Sequence, residues 1–139
     1  MQATVEIERD LSAPPDRVWR ALTEADELSA WFWPERFAAV AVSDPVEDGV
    51  WRVVSDVVGM GVSGRYEGAC APGWARWTWR WDGEEQESTV SVGLEPTYAG
   101  TRLRVVHSGL RHEDLDSHRE GWEGCLDRLP EHLAKPLAL

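Results

Sequence analysis

The sequence predicts an α+β fold in which a curved antiparallel sheet wraps around one long C-terminal helix. Three observations predict it. Trp122, Cys125, Leu126, Leu129 and Leu133 recur at spacings of three and four, which makes one apolar stripe on a helix of roughly Ser117 to Leu133. From Arg36 to about Gly109 the apolar pattern has period two and is broken only by short turn clusters, so successive strands are antiparallel neighbours. Gly121 and Gly124 flank the helical stripe. Each costs about 1 kcal/mol in a helix relative to alanine, so they signal either close approach of another backbone or room left beside the helix.

The elements follow in chain order. Between Ala3 and Leu11, Val5, Ile7, Arg9 and Leu11 alternate with polar residues, as in a half-buried strand. Ser12-Ala13-Pro14-Pro15-Asp16 then stops the strand and opens a helix, with Ser12 or Asp16 able to cap it and proline suited to its first turn. Val18, Trp19 and Leu22 form its apolar face. Thr23 is the expected cap of a second short helix that buries Leu28, Trp31 and Phe32 and ends at Pro34. The strands expected next are Arg36 to Val42, Gly49 to Val57, Val62 to Cys70, Trp74 to Trp81, Ser88 to Glu95 and Thr101 to Ser108. In Trp74 to Trp81, Ala75, Trp77, Trp79 and Trp81 share one face and Arg76, Thr78 and Arg80 the other, so the sheet has an aromatic side and a wet side.

Composition bounds what such a fold does. With 139 residues and 42% hydrophobic content the chain reads as a single domain over 1–139, large enough for one core. A net charge of −11 with no basic cluster argues against nucleic acid and anionic membranes as partners. No apolar run approaches the roughly 20 residues that span a bilayer. Cys70 and Cys125 lie far apart and no apolar signal segment opens the chain, so a reduced, cytoplasmic setting is expected. Lysine occurs once, at Lys135, among many arginines, and asparagine is absent, a composition suggestive of a GC-rich bacterial genome.

The run Ala13-Pro14-Pro15-Asp16-Arg17-Val18-Trp19-Arg20-Ala21-Leu22-Thr23, followed by Leu28 and Trp31-Phe32, resembles the N-terminal signature of the START-like (SRPBCC) superfamily. More narrowly it resembles the branch named for the activator of the heat-shock-protein-90 ATPase. Trp77-Thr78-Trp79-Arg80-Trp81, then Gly100-Thr101-Arg102-Leu103 running to His107-Ser108-Gly109-Leu110, then Gly121-Trp122 fall in the order that branch shows. The resemblance covers nearly the whole chain. It implies a helix-grip fold: six or seven antiparallel strands closed around the C-terminal helix, with a cavity between them. Two features depart from the pattern. Pro130 lies inside the last helix and predicts a kink or restart. Val57-Val58-Gly59-Met60-Gly61 is unusually apolar for a hairpin connection and is read as a mobile lip over the cavity mouth.

Members of the superfamily bind lipids, sterols, polyketides or partner proteins, and only some catalyse, so fold alone does not assign function. The reading is a small hydrophobic or amphipathic ligand held between sheet and helix. The alternatives are a co-chaperone-like interaction module and a polyketide cyclase or aromatase-like enzyme. The candidate ligand-contacting residues are the aromatic set Trp33, Phe37, Trp51, Trp77, Trp79 and Trp122, with Met60 on the lip, Tyr66, Leu126 on the helix stripe, and His107. Against this stands the plainer reading that the large rings only fill a core. Parity with Thr101, Leu103 and Val105 sends His107 inward, where a neutral imidazole is expected, either orienting a ligand or serving structure alone.

No residue is assigned a catalytic or metal-binding role and no cofactor is called for. No motif sets a nucleophile beside a base. His112-Glu113-Asp114-Leu115-Asp116-Ser117-His118 matches no standard zinc or calcium spacing. Gly59-Met60-Gly61-Val62-Ser63-Gly64 spells GxGxxG but lies between two strands, where a dinucleotide site requires a helix after it. A protein partner, and a monomeric or homodimeric state, stay open.

Overall fold

The computed structural model describes residues 2–135. Strand β1 (Gln2–Leu11) leads into helices α1 (Pro15–Thr23) and α2 (Ala25–Trp31). Six strands follow, β2 (Val40–Ser43), β3 (Val50–Ser55), β4 (Met60–Cys70), β5 (Trp74–Trp81), β6 (Ser88–Thr97) and β7 (Gly100–Arg111), and the last described element is α3 (Leu115–Ala134). The strands form one sheet of order β1-β7-β6-β5-β4-β3-β2, antiparallel at every pairing. The consecutive hairpins from β2 to β7 follow from the short turns, and β1 adds beside β7 on the far edge. Among the described residues no helix is long and apolar enough to cross a membrane.

Alternation decides which face meets α3. Trp77 and Trp79 on β5, Val90 and Val92 on β6, and Leu103, Val105 and His107 on β7 are all buried on the concave side, against Trp122, Cys125, Leu126 and Leu129 of α3. The opposite side carries cross-strand ion pairs: Arg104 with Glu6, Arg102 with Asp10, and the two-pronged Arg52–Asp82 pair at 2.9 Å for both bonds. These pairs are solvent-exposed, so they specify register more than they stabilise.

Side-chain bonds tie both edge strands to the helices. At the β2 edge the Ala41 N–H donates to Ser29 Oγ of α2 (2.9 Å), and at the β1 edge Arg9 reaches Asp127 of α3 (3.5 Å). A second tie joins the three helices: Glu27 Oε1 accepts from Arg17 (2.6 Å) and lies 2.9 Å from His132 Nε2.

Several local expectations are corrected. Neither Ser12 nor Asp16 caps α1; Pro14 holds the cap position in extended geometry with Pro15 at the first helical residue, so the missing donor costs nothing there. Thr23 ends α1, donating its hydroxyl to the Trp19 carbonyl (2.7 Å), and α2 starts after Glu24. The strand expected from Arg36 is a 3-10 turn over Glu35–Phe37, closed by Ala38 at φ 50, so β2 begins only at Val40. Pro34 opens that turn, and its fixed φ outweighs the weak alternation after it. Of the kink or restart expected at Pro130, the restart is absent: α3 runs through it, with Pro130 on the exposed side while Leu129 and Leu133 hold the last turns against the core. The GxGxxG stretch turns out of β3 into β4, and Gly59 supplies the positive φ (69) of that turn.

Gly64 is the tightest point of the sheet, because a Cβ there would collide with the backbone carbonyl of Thr78. Gly64→Ala should lower stability by about 3 kcal/mol or more. Gly93→Ala, on β6 where a Cβ meets nothing within 4 Å, should stay within about 0.5 kcal/mol of the parent. Chemical denaturation of both variants tests the pair, and equal effects would contradict the assigned β4–β5 spacing.

Candidate functional site

The cavity lies beside the first three turns of α3. Its volume is about 670 Å3, and most of its wall is apolar. Three pieces of chain build it: Phe32 to Phe37 after α2, Trp79 and Trp81 at the end of β5 with Met60 from the start of β4, and Asp114 just before α3 with the α3 face running through Ser117, His118, Gly121 and Gly124 to Arg128. That face follows from helical spacing of three and four.

The two glycines account for the space. A Cβ at Gly121 would meet nothing within 4 Å, and one at Gly124 would meet only the end of the Arg128 guanidinium at 3.7 Å. Of the two sequence-level explanations, close approach of another backbone is therefore excluded, and room beside the helix is what the glycines provide.

The segment after α2 is fastened to α3 by side chains that serve its free carbonyls. Arg128 donates Nε to Trp31 O (3.1 Å) and Nη2 to Phe32 O (2.8 Å), and the Cys125 thiol donates to Phe32 O (2.9 Å). Burial pushes the Cys125 thiol up to about 12, which keeps the proton that makes this bond. Phe32 is thereby set edge-on to Trp122 (5.7 Å, 85°), Trp51 and Trp31.

Behind the wall runs a buried hydrogen-bond chain. The indole N–H of Trp122 can only donate, so His107 Nδ1 accepts it (2.9 Å) and the ring proton sits on Nε2, which donates to Ser88 Oγ (2.7 Å). Ser88 in turn reaches Trp79 O (3.4 Å). A second pair repeats the theme at the cavity mouth: Trp81 Nε1 donates to His118 Nε2 (3.1 Å), and His118 Nδ1 donates to Asp114 O (2.8 Å). Both histidines thus spend both ring nitrogens on the protein. Burial, and secondarily the neighbouring His118, push His107 down to about 3.

Of the sequence-predicted contact residues, the cavity brings together Trp33, Phe37, Met60, Trp79 and Trp122. Trp51, Tyr66, Trp77, His107 and Leu126 are not on its wall. They are almost wholly buried in the core behind it, with Trp51 stacked on Trp77 (5.2 Å, 22°) and Tyr66 bonded through its hydroxyl to Ser43. Sequence reasoning missed Phe32, Trp81, His118, Cys125 and Arg128 on the wall. Positions 114, 117, 118, 121, 124, 125 and 128 form a helical stripe beside the apolar one, and the glycines on it were the available signal. The apolar hairpin tip places Val57 and Val58 in solvent next to Met60, the residue of that segment that reaches the cavity.

A seven-stranded antiparallel sheet gripping a C-terminal helix, with a cavity between them, is the START-like (SRPBCC) architecture. The family profile described as "Activator of Hsp90 ATPase homolog 1-like protein" matches residues 12–134, so the chain belongs to that family. No curated protein matches it. Among solved structures it is similar to protein CV1439 from Chromobacterium violaceum (26% identity, 96% of this chain and 98% of that one, TM-score 0.84). Protein MLL2253 from Mesorhizobium loti is similar at 24% identity, with 98% and 100% coverage and TM-score 0.84. DynU16, a protein of the dynemicin biosynthetic locus, is 21% identical over 94% of this chain and 46% of its own, with TM-score 0.80, and shares the fold.

The His107 chain gives a pH prediction. The unfolded imidazole takes up a proton near its ordinary value of 6.5 and the folded one only near 3. Its contribution to stability is therefore complete above about pH 6.5 and drains away as pH falls toward 3. In nitrogen-detected NMR, His107 should stay neutral, protonated on Nε2, from pH 8 down to the onset of acid unfolding. A titration midpoint above 6 would contradict the assigned partners.

Proposed function

We propose that the protein binds a small apolar or amphipathic molecule in the cavity beside α3. One observation carries this reading: two of the α3 positions that line the space are glycine, each at a cost of about 1 kcal/mol in helix stability, and no backbone or side chain uses the room at Gly121. A helix selected only for stability would carry alanine or a larger apolar residue there. The volume lies within the roughly 300 to 1,000 Å3 usual for small-molecule sites. Trp79, which is 4% exposed and lines the wall, also has an indole N–H without a hydrogen-bond partner among the described residues.

The enzyme reading draws little support, because both histidines near the cavity have their nitrogens committed. Exposed Val40, Val42 and Val46 favour a protein-partner reading as runner-up, since neighbouring apolar side chains on a surface mark docking sites. That reading leaves the helix glycines without a purpose.

A neutral fluorescent probe, N-phenyl-1-naphthylamine, tests the cavity. Gly121→Leu should weaken probe binding about tenfold or more while thermal stability holds or rises, and Gly121→Ala should gain about 1 kcal/mol. Unchanged probe affinity in a folded Gly121→Leu protein would refute the proposal.

A further inference from the structure

Resting on the cavity reading above, we propose that the occupant is an organic cation: a flat apolar body bearing an ammonium or similar positive group. The walls suit such a body. Trp33 and Trp81 stand parallel (6.3 Å, 5°), Phe37 meets Trp33 at 6.3 Å, and Trp79 meets Trp81 edge-on at 5.5 Å. These ring faces are electron-rich and attract positive charge, most strongly where water is excluded.

The charges around the cavity divide in one direction. Arg128, the cation on the wall, gives two nitrogens to the Trp31 and Phe32 carbonyls, so it is already spent on structure. Asp114 is answered by Arg111 at 2.8 Å. His118 accepts from Trp81 and donates to a carbonyl, which requires the neutral ring. Ser117 donates to Asp114 O. Among the residues of the lining two charged groups are left: Glu84, from the turn after β5, and Glu120, on α3, and neither has an ion-pair partner among the described residues. Exposed Arg36 stacks over Phe37 at 5.2 Å, so an aromatic ring of this wall already engages a cation. The whole chain, at net −11, adds a field of the same sign as the two carboxylates. An anionic occupant would have to compete for Arg128 with the carbonyls it serves.

The body and the charge are separable by matched ligands. Three naphthalenes that differ in one substituent, 1-naphthylmethylammonium, 1-naphthylmethanol and 1-naphthoate, are titrated against the full chain by displacement of N-phenyl-1-naphthylamine. The ammonium should bind about tenfold tighter than the alcohol and the carboxylate weakest, and the spread should narrow as salt is raised. Glu84→Gln with Glu120→Gln should bring the ammonium to the affinity of the alcohol and leave the alcohol unchanged. If the alcohol or carboxylate binds as tightly as the ammonium, and Gly121→Leu weakens it, the charge inference falls and the cavity reading stands. If none of the three binds, or binding ignores Gly121→Leu, both fall.

Discussion

The bond from Trp122 to His107 joins α3 to β7 beside the cavity, and with the packing of Cys125, Leu126 and Leu129 it sets where the helix lies. It fixes α3 at the turn where Gly121 and Gly124 contribute no side chain. The bond works because the indole nitrogen is a donor only, so it dictates the imidazole tautomer, which in turn dictates that Ser88 accepts. A charged imidazole would break the chain at its first link. Desolvation prevents that, so burial and hydrogen bonding act in the same direction. The cavity is therefore a consequence of polar order behind its wall as much as of apolar residues on it.

The same logic explains why the segment after α2 holds its shape. A helix end leaves carbonyls without partners, and Phe32 and Trp33 follow such an end. Arg128 and Cys125 supply the donors from α3, so the two faces of the cavity are joined through hydrogen bonds that do not cross the space itself. His118 does this at the other end by holding Trp81.

The fold was legible because period two and period three-to-four give unambiguous faces over long stretches, and the family signature agreed with them. The boundary after Pro34 failed because proline geometry overrode a weak alternation, and at Pro14 what failed was the choice of cap. Parity placed Trp77 and Trp79 on one side of the sheet but carries no depth, so it could not tell that Trp79 reaches the cavity while Trp77 lies beneath it, stacked on Trp51. His107 was legible as buried and neutral. Its partners were not, because Ser88 comes from β6, whose register against β7 only the pairing settles, and Trp122 from α3. The glycines carried the most information about the site, though the sequence left two explanations for them.

The nine indole N–H groups of this chain are reporters spread through the core, the cavity and the surface. The most direct test of the account is a proton–nitrogen correlation spectrum of those indoles during titration with a neutral naphthalene. The account predicts shifts at Trp33, Trp79, Trp81 and Trp122, with Trp51 and Trp77 nearly still and surface Trp74 unmoved. Shifts led by Trp74, or spread evenly through Trp51 and Trp77, would contradict a defined cavity beside α3.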